Sequence, residues 1–270
     1  MKRIAVFRYH KEFEIVKERV KLFKLINPGI LLYGIYGGER NKYDESNRIL
    51  GKLFESNYFL DNNDVWWKWF HGDIIYQLWH RDVGQYLRFD VAHIIEWDLL
   101  LLDTIENLYG NIDKEALGCT GLVPLKQIEA EWYWIRNMER REEYKKFINY
   151  VTENFSVNVD GYGMLGPGIS LPRSFLDRLL KIKMVSINTS DELKLPVWAQ
   201  ITGNQLQDNG FYKKWFSKKE KKFFNANEAD IKLKTIRRQL KKNNGRRAFH
   251  PFRKHFDVGE LFQMYKDQPR

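Results

Sequence analysis

Two carboxylates with a single residue between them, Glu96 and Asp98, follow the apolar run Phe89-Asp90-Val91-Ala92-His93-Ile94-Ile95. A run of that kind reads as a buried strand, and side chains two apart on a strand leave the same face. Carboxylates aimed together from a strand end can hold one hard cation, and Mg2+ or Mn2+ on such oxygens can bridge a diphosphate. An isolated E-x-D also reads as polar residues turned to water, so the surrounding elements decide between the two readings.

Charge is the second feature. Residues 232 to 254 hold ten Lys and Arg and no Asp or Glu, which accounts for the whole formal net charge of +10. Such a segment attracts phosphates, anionic lipid headgroups or nucleic acid, or is simply a solvated helix face. A 15% aromatic content with 9 Trp leaves rings free for a pocket or for stacking on flat ligands. The single cysteine, Cys119, forms no internal disulfide and no zinc cluster, so a reducing compartment is expected. The apolar start after Met1-Lys2-Arg3 is too brief for a signal peptide, and no run reaches a membrane span. The expected location is cytoplasmic, with peripheral contact to an anionic membrane surface.

Other chemistries drop out by motif. The first strand runs into Arg8-Tyr9-His10 with no G-x-G-x-x-G, and no Walker loop or G-x-S-x-G elbow occurs. A metal-dependent nuclease or phosphatase stays as a third reading, ranked last because such sites usually gather more carboxylates and histidines than can be assembled here.

The elements that must position Glu96 and Asp98 begin with a strand at Ile4-Ala5-Val6-Phe7. Phe13, Val16, Val20, Phe23 and Ile26 then recur at helical spacing, and Asn27-Pro28-Gly29 ends that helix. A second strand, residues 30 to 36, closes on Gly37-Gly38, so residues 3 to 38 form a βαβ unit with a parallel sheet. Ligands of such sheets lie beyond the carboxyl ends of the strands, where Glu96 and Asp98 emerge. Helices are expected around Ile49, over the Trp-dense residues 65 to 80, over 138 to 155, after Pro172, and from Ala229 to Leu240. The glycine-rich residues 160 to 168 read as a loop. With 270 residues and 43% hydrophobic content, one α/β unit is expected.

This arrangement resembles glycosyltransferases of the GT-A fold, whose nucleotide-binding half begins with a βαβ unit and whose D-x-D-type motif follows a buried strand. The resemblance implies a Rossmann-like, mostly parallel sheet flanked by helices, with a C-terminal basic helical extension. It divides the chain into a nucleotide-sugar half (1-110), an acceptor half (111-225) and a basic segment (226-270). Asp98 then ligates the metal, while Glu96 contacts ribose or metal. A C-terminal histidine completes the metal shell in many members, and His250 stands in that place, with Arg246, Arg247 and Arg253 near it as diphosphate partners. Arg8-Tyr9 and Gly37-Gly38 fall where these folds place base and ribose. Asp73 is a further nucleoside contact, or else a helix N-cap.

In the acceptor half the family's order of glycine-rich loop, helix and acidic base is matched by Gly161 to Gly168, Leu171-Pro172-Arg173 and Asp191-Glu192. One of these two carboxylates would take the acceptor's proton in an inverting transfer. Thr189-Ser190-Asp191-Glu192 equally matches a capping box. The resemblance therefore implies a Mn2+ or Mg2+ dependent enzyme of polysaccharide biosynthesis. Its partners would be a nucleotide-sugar donor and a glycan, lipid-linked or protein acceptor. The alternative is a nucleic-acid-binding protein using residues 232 to 254, which leaves the strand-end carboxylates unexplained.

Overall fold

The computed structural model describes residues 1 to 268. Strand β1 (Arg3–Tyr9), helix α1 (Phe13–Ile26) and strand β2 (Leu31–Tyr36) form the expected βαβ unit, and α2 (Tyr43–Leu50) leads to a short β3 (Asn57–Phe59). The Trp-dense stretch is two helices, α3 (Val65–Phe70) and α4 (Gly72–Asp82), broken at His71. Then come β4 (Val91–Glu96), β5 (Leu100–Leu101), α5 (Ile105–Tyr109), β6 (Ala116–Pro124), α6 (Tyr133–Arg136) and α7 (Met138–Phe155). The remainder is β7 (Tyr162–Pro172), α8 (Arg173–Leu179), α9 (Asp191–Ile201), β8 (Gln205–Asp208), α10 (Leu233–Leu240), β9 (Ala248–Phe249) and α11 (Val258–Lys266).

Seven strands make one sheet in the order β3-β2-β1-β4-β7-β6-β8. Pairing is parallel from β3 through β4 and between β6 and β8, and antiparallel on both sides of β7. The fold is thus mixed α/β around a mainly parallel central sheet, with β7 alone reversed.

Strand alternation builds two cores. Ile4, Val6, Ala92 and Ile94 face one layer with Trp79, Phe147 and Trp198, whereas Ala5, Phe7, Tyr9 and Ile95 face the other with Val16, Val20 and Phe23. Arg8 is in register with Glu96 and continues the even-numbered face of β1, so the two charged side chains emerge together toward α4 and α9.

The glycine-rich segment expected as a loop is instead strand β7. Tyr162 pairs with Pro124 and Leu165 with Thr120, through register shifts that let glycines take unusual geometry. Gly168 sits at φ 85°, where an added Cβ would lie 2.9 Å from the Phe211 ring. Ser170 stays in the strand, its hydroxyl 2.8 Å from His93 Nδ1, and Pro172 is the N-cap of α8.

The basic C-terminal segment is docked against the rest. Strand β9 pairs with β5, and Ile236, Leu240, Phe249 and Phe252 bury a third core with Leu22 and Ile26 of α1. Many of its cations are spoken for within the chain: Arg237 meets Glu260 at 2.7 Å, Arg246 meets Glu220, and Arg253 meets Asp98 and Asp230. The segment is thus part of the packed body of the fold and not a free basic arm. No helix of the described residues is long and apolar enough to cross a membrane.

Candidate active site

The carboxyl ends of β1 and β4 meet the start of α9 around Arg8. Its Nη1 lies 3.3 Å from Glu96 Oε1 and 3.8 Å from Asp191 Oδ2, and it donates to the Tyr76 hydroxyl at 3.2 Å. Its Nη2 donates to the Lys68 carbonyl at 2.8 Å. Burial alone would lower the pKa of this guanidinium, but Glu96, Tyr76 and Asp191 outweigh it and raise it. Both partner carboxyls are nevertheless pushed up, because burial exceeds the help Arg8 gives each of them.

Asp98 lies one turn beyond β4. Its Oδ2 accepts from Arg253 Nε at 3.0 Å and its Oδ1 faces His250 Nε2 at 3.4 Å. Burial would raise this carboxyl, yet His250 and Arg253 hold it down at about 2. The two strand-end carboxylates have different partners, Arg8 for Glu96 and the C-terminal segment for Asp98, yet Asp98 lies close enough to add to the burial that pushes the Glu96 carboxyl up. Asp98 is also 5% exposed, because the backbone N–H of Phe252 bonds its carbonyl and closes the C-terminal segment over it.

His250 Nδ1 lies 2.8 Å from the Asn225 carbonyl, which can only accept, so this nitrogen is the donor. The remaining nitrogen, Nε2, faces the Asp98 carboxylate at 3.4 Å, which sets an imidazole nitrogen and a carboxylate oxygen side by side. Among the described residues no group of three or more His, Cys, Asp or Glu is placed to hold a metal ion. Asp98 and His250 fit an ion that takes its other ligands from a bound substrate.

Asp191 and Glu192 open α9, but not as a capping box. Ser190 is the N-cap, its hydroxyl accepting from the Glu192 N–H at 3.2 Å. The Glu192 side chain turns away from the cap: Oε2 accepts from Trp134 Nε1 and Oε1 from the Gly166 N–H, both at 2.9 Å. Burial first, then the neighbouring Asp191, raises its pKa to about 8 against those two donors and the positive helix end. Gly72 is required beside Asp191, since a Cβ there would fall 1.8 Å from Asp191 Oδ2.

Several expected contacts lie elsewhere. Tyr9 is on the opposite face of β1 from Arg8, 1% exposed, with its hydroxyl on Ser46 and Asn57. Asp73 is fully buried, its Oδ1 2.9 Å from Lys194 Nζ and its Oδ2 accepting from Trp198 Nε1. It pins α4 to α9 and has no surface to offer a nucleoside. Arg247 bonds the carbonyls of Gln239, Lys242 and Arg246, so it caps α10 rather than facing the site. Arg253, two residues past Pro251, supplies the cation instead.

Gly37 and Gly38 do stand at the site's edge, where Lys68 Nζ donates to both carbonyls. Only glycine fits at 38, where a Cβ would lie 2.4 Å from the His10 carbonyl. Lys68, Tyr76 and Trp134 were not foreseen, and Gly166 was read only as part of the glycine-rich stretch. Trp134 and Lys68 sit among other tryptophans, where local spacing reports packing and gives no sign of the distant carboxylate or loop they reach.

No family model matches the sequence, and no curated protein is similar to it. Among solved structures the chain is similar to the apo form of WbbM, a bifunctional glycosyltransferase, at 11% identity over 99% of this chain and 50% of that one, TM-score 0.45. It is similar to the galactosyltransferase LgtC in complex with donor and acceptor sugar analogues, at 10% identity over 98% of this chain and 96% of that one, TM-score 0.46. An active-site mutant of LgtC is similar at 14% identity over 75% and 65%, TM-score 0.38. The chain thus spans about half the length of the WbbM structure. All three are glycosyltransferases, and each likeness is remote, with a TM-score below 0.5.

Proposed function

We propose that the chain transfers a sugar from a nucleotide-diphosphate sugar to a glycan, lipid-linked or protein acceptor, with inversion at the anomeric carbon. The observation that carries this reading is the meeting of Asp98 with His250 at 3.4 Å, beside a second carboxylate cluster made by Glu96, Asp191 and Glu192. One cluster suits a cation and diphosphate, and the other suits a proton acceptor.

Asp98 and His250 would hold Mn2+ or Mg2+, which when bound supplies charge neutralisation to the departing diphosphate. Arg253, 33% exposed at its side chain and held by Asp98, Asp230 and Asn227, would exchange Asp98 for phosphate oxygens when a diphosphate binds, its planar fork matching them. Glu96, held by Arg8, faces the ribose side, with the glycines at 37 and 38 allowing close backbone approach. Glu192 accepts the proton of the attacking hydroxyl, and its raised pKa makes it a stronger base than an ordinary carboxylate. Asp191, tied to Arg8, orients the cluster.

Thermal unfolding with UDP, GDP or dTDP, with and without Mn2+, tests the donor half of this reading. One nucleotide should stabilise the fold only when the metal is present. Stabilisation by none of them, with or without metal, removes the transferase assignment.

A further inference from the structure

Trp66 and Trp69 are 60% and 50% exposed, and Tyr133 is 51% exposed. Large apolar rings left in water on one surface mark an interaction site when they are contiguous. These are: the rings of Trp66 and Trp69 lie 5.3 Å apart, and Trp69 and Tyr133 meet Trp134 edge-on at 5.9 Å and 5.3 Å. Trp134 is the residue whose indole N–H holds Glu192. The aromatic surface therefore starts at the candidate base and runs outward.

It is also fixed in place. The Asp64 carboxylate caps α3 by accepting from the Trp67 N–H at 3.0 Å, Trp67 Nε1 donates to the Ser186 hydroxyl at 3.1 Å, and Arg140 lies over the Phe70 ring at 4.8 Å. These contacts through Trp67 and Phe70 fix helix α3 and so the backbone that carries Trp66 and Trp69, whose rings also pack on each other and on Phe70.

We propose that this surface is the acceptor subsite, and that it takes a pyranose ring of an uncharged glycan stacked on Trp66 and Trp69, with a hydroxyl directed to Glu192. The proposal rests on the transferase reading above and narrows its acceptor. A pyranose presents a face of C–H groups whose positive edges suit the negative face of an indole, while its hydroxyls stay free for hydrogen bonds. A membrane is the other surface that collects tryptophan and tyrosine, but an anionic leaflet also recruits clustered cations. The flanks here carry Asp61, Asp64, Glu129, Glu131 and Glu139 against Arg136, Arg140 and Arg141, with Lys68 turned inward to the Gly37 and Gly38 carbonyls, so there is no cationic field to recruit one.

Saturation-transfer NMR of the full chain with lactose, maltose, cellobiose and chitobiose tests this, beside the Trp66→Ala/Trp69→Ala double variant and sedimentation with vesicles containing phosphatidylglycerol. At least one disaccharide should bind through one ring face, and its affinity should fall about tenfold or more in the double variant. Stabilisation by nucleotide with Mn2+ should be unchanged in that variant. Binding by no sugar of the panel, or equal binding by the double variant, overturns the proposal; so does vesicle binding that the double variant loses. If the sugars bind through the tryptophans but no nucleotide binds, the transferase reading fails and the sugar surface stands.

Discussion

The Asp98 carboxylate faces His250 Nε2 at 3.4 Å while Arg253 holds its other oxygen at 3.0 Å, so one acidic group at a strand end is gripped by two cationic or metal-binding groups from the C-terminal segment. The arrangement ties a site residue to a stretch that, by charge alone, looks like a solvated tail. Asp98→Asn keeps the shape and removes the charge. It is expected to abolish Mn2+-dependent stabilisation by nucleotide and to cost about 2 kcal/mol of stability through the lost charged hydrogen bond. Calorimetry with the nucleotide panel checks the first part and chemical denaturation the second; Mn2+-dependent binding that survives takes Asp98 out of the metal site.

Glu192 has its pKa raised to about 8 from an ordinary 4.5. A base works when deprotonated, so transfer should rise with pH through about 8 and level off above it. The same shift means folding stability is lost as pH rises from 4.5 through about 8, because the folded state holds that proton more tightly than the unfolded chain. Glu192→Gln should slow transfer by about 100-fold or more and flatten the pH profile, with nucleotide affinity unchanged. A variant with full turnover would mean that Glu192 only anchors Trp134 and Gly166.

Arg8 is the counter-charge of Glu96 and Asp191. Arg8→Met should destabilise the fold by about 3 kcal/mol at pH 8 and by less at pH 5, since both carboxyls can then neutralise by protonation. Urea melts at the two pH values read this directly, and an equal loss at both would show that packing, not charge, is what Arg8 contributes.

Much of this was legible in the chain. The alternation of β1 and β4, the helical spacing from Phe13 to Ile26, and the strand-end carboxylates were all local patterns, and each element formed where the pattern lay. The pairing of Asp98 with His250 was accessible only through the family resemblance, because no local spacing links them. Tyr9 was misplaced because adjacent strand residues face opposite layers, so a site at Arg8 excludes its neighbour. The glycine-rich β7 escaped because its strand character comes from pairing with β6 and β4, which glycine content masks. Asp73 was misplaced because its partner Lys194 lies on another helix, and burial of an acid is visible only once both helices are packed.

That buried pair yields a fourth expectation. Lys194→Met alone leaves Asp73 as an uncompensated charge and should cost about 3 to 5 kcal/mol, whereas Lys194→Met with Asp73→Leu should recover most of it. A double-mutant cycle by denaturation measures the difference; a double variant no better than the single one would show that the pair also fixes how α4 seats on α9.

The docking of β9 and Arg253 also has a bearing on synthesis. A ribosome delivers β4 long before it delivers residues 250 and 253, so during most of translation Asp98 has neither of the partners that hold it as an anion in the finished molecule. The grip on Asp98 therefore closes only once β9 and the residues after it have been made and have docked.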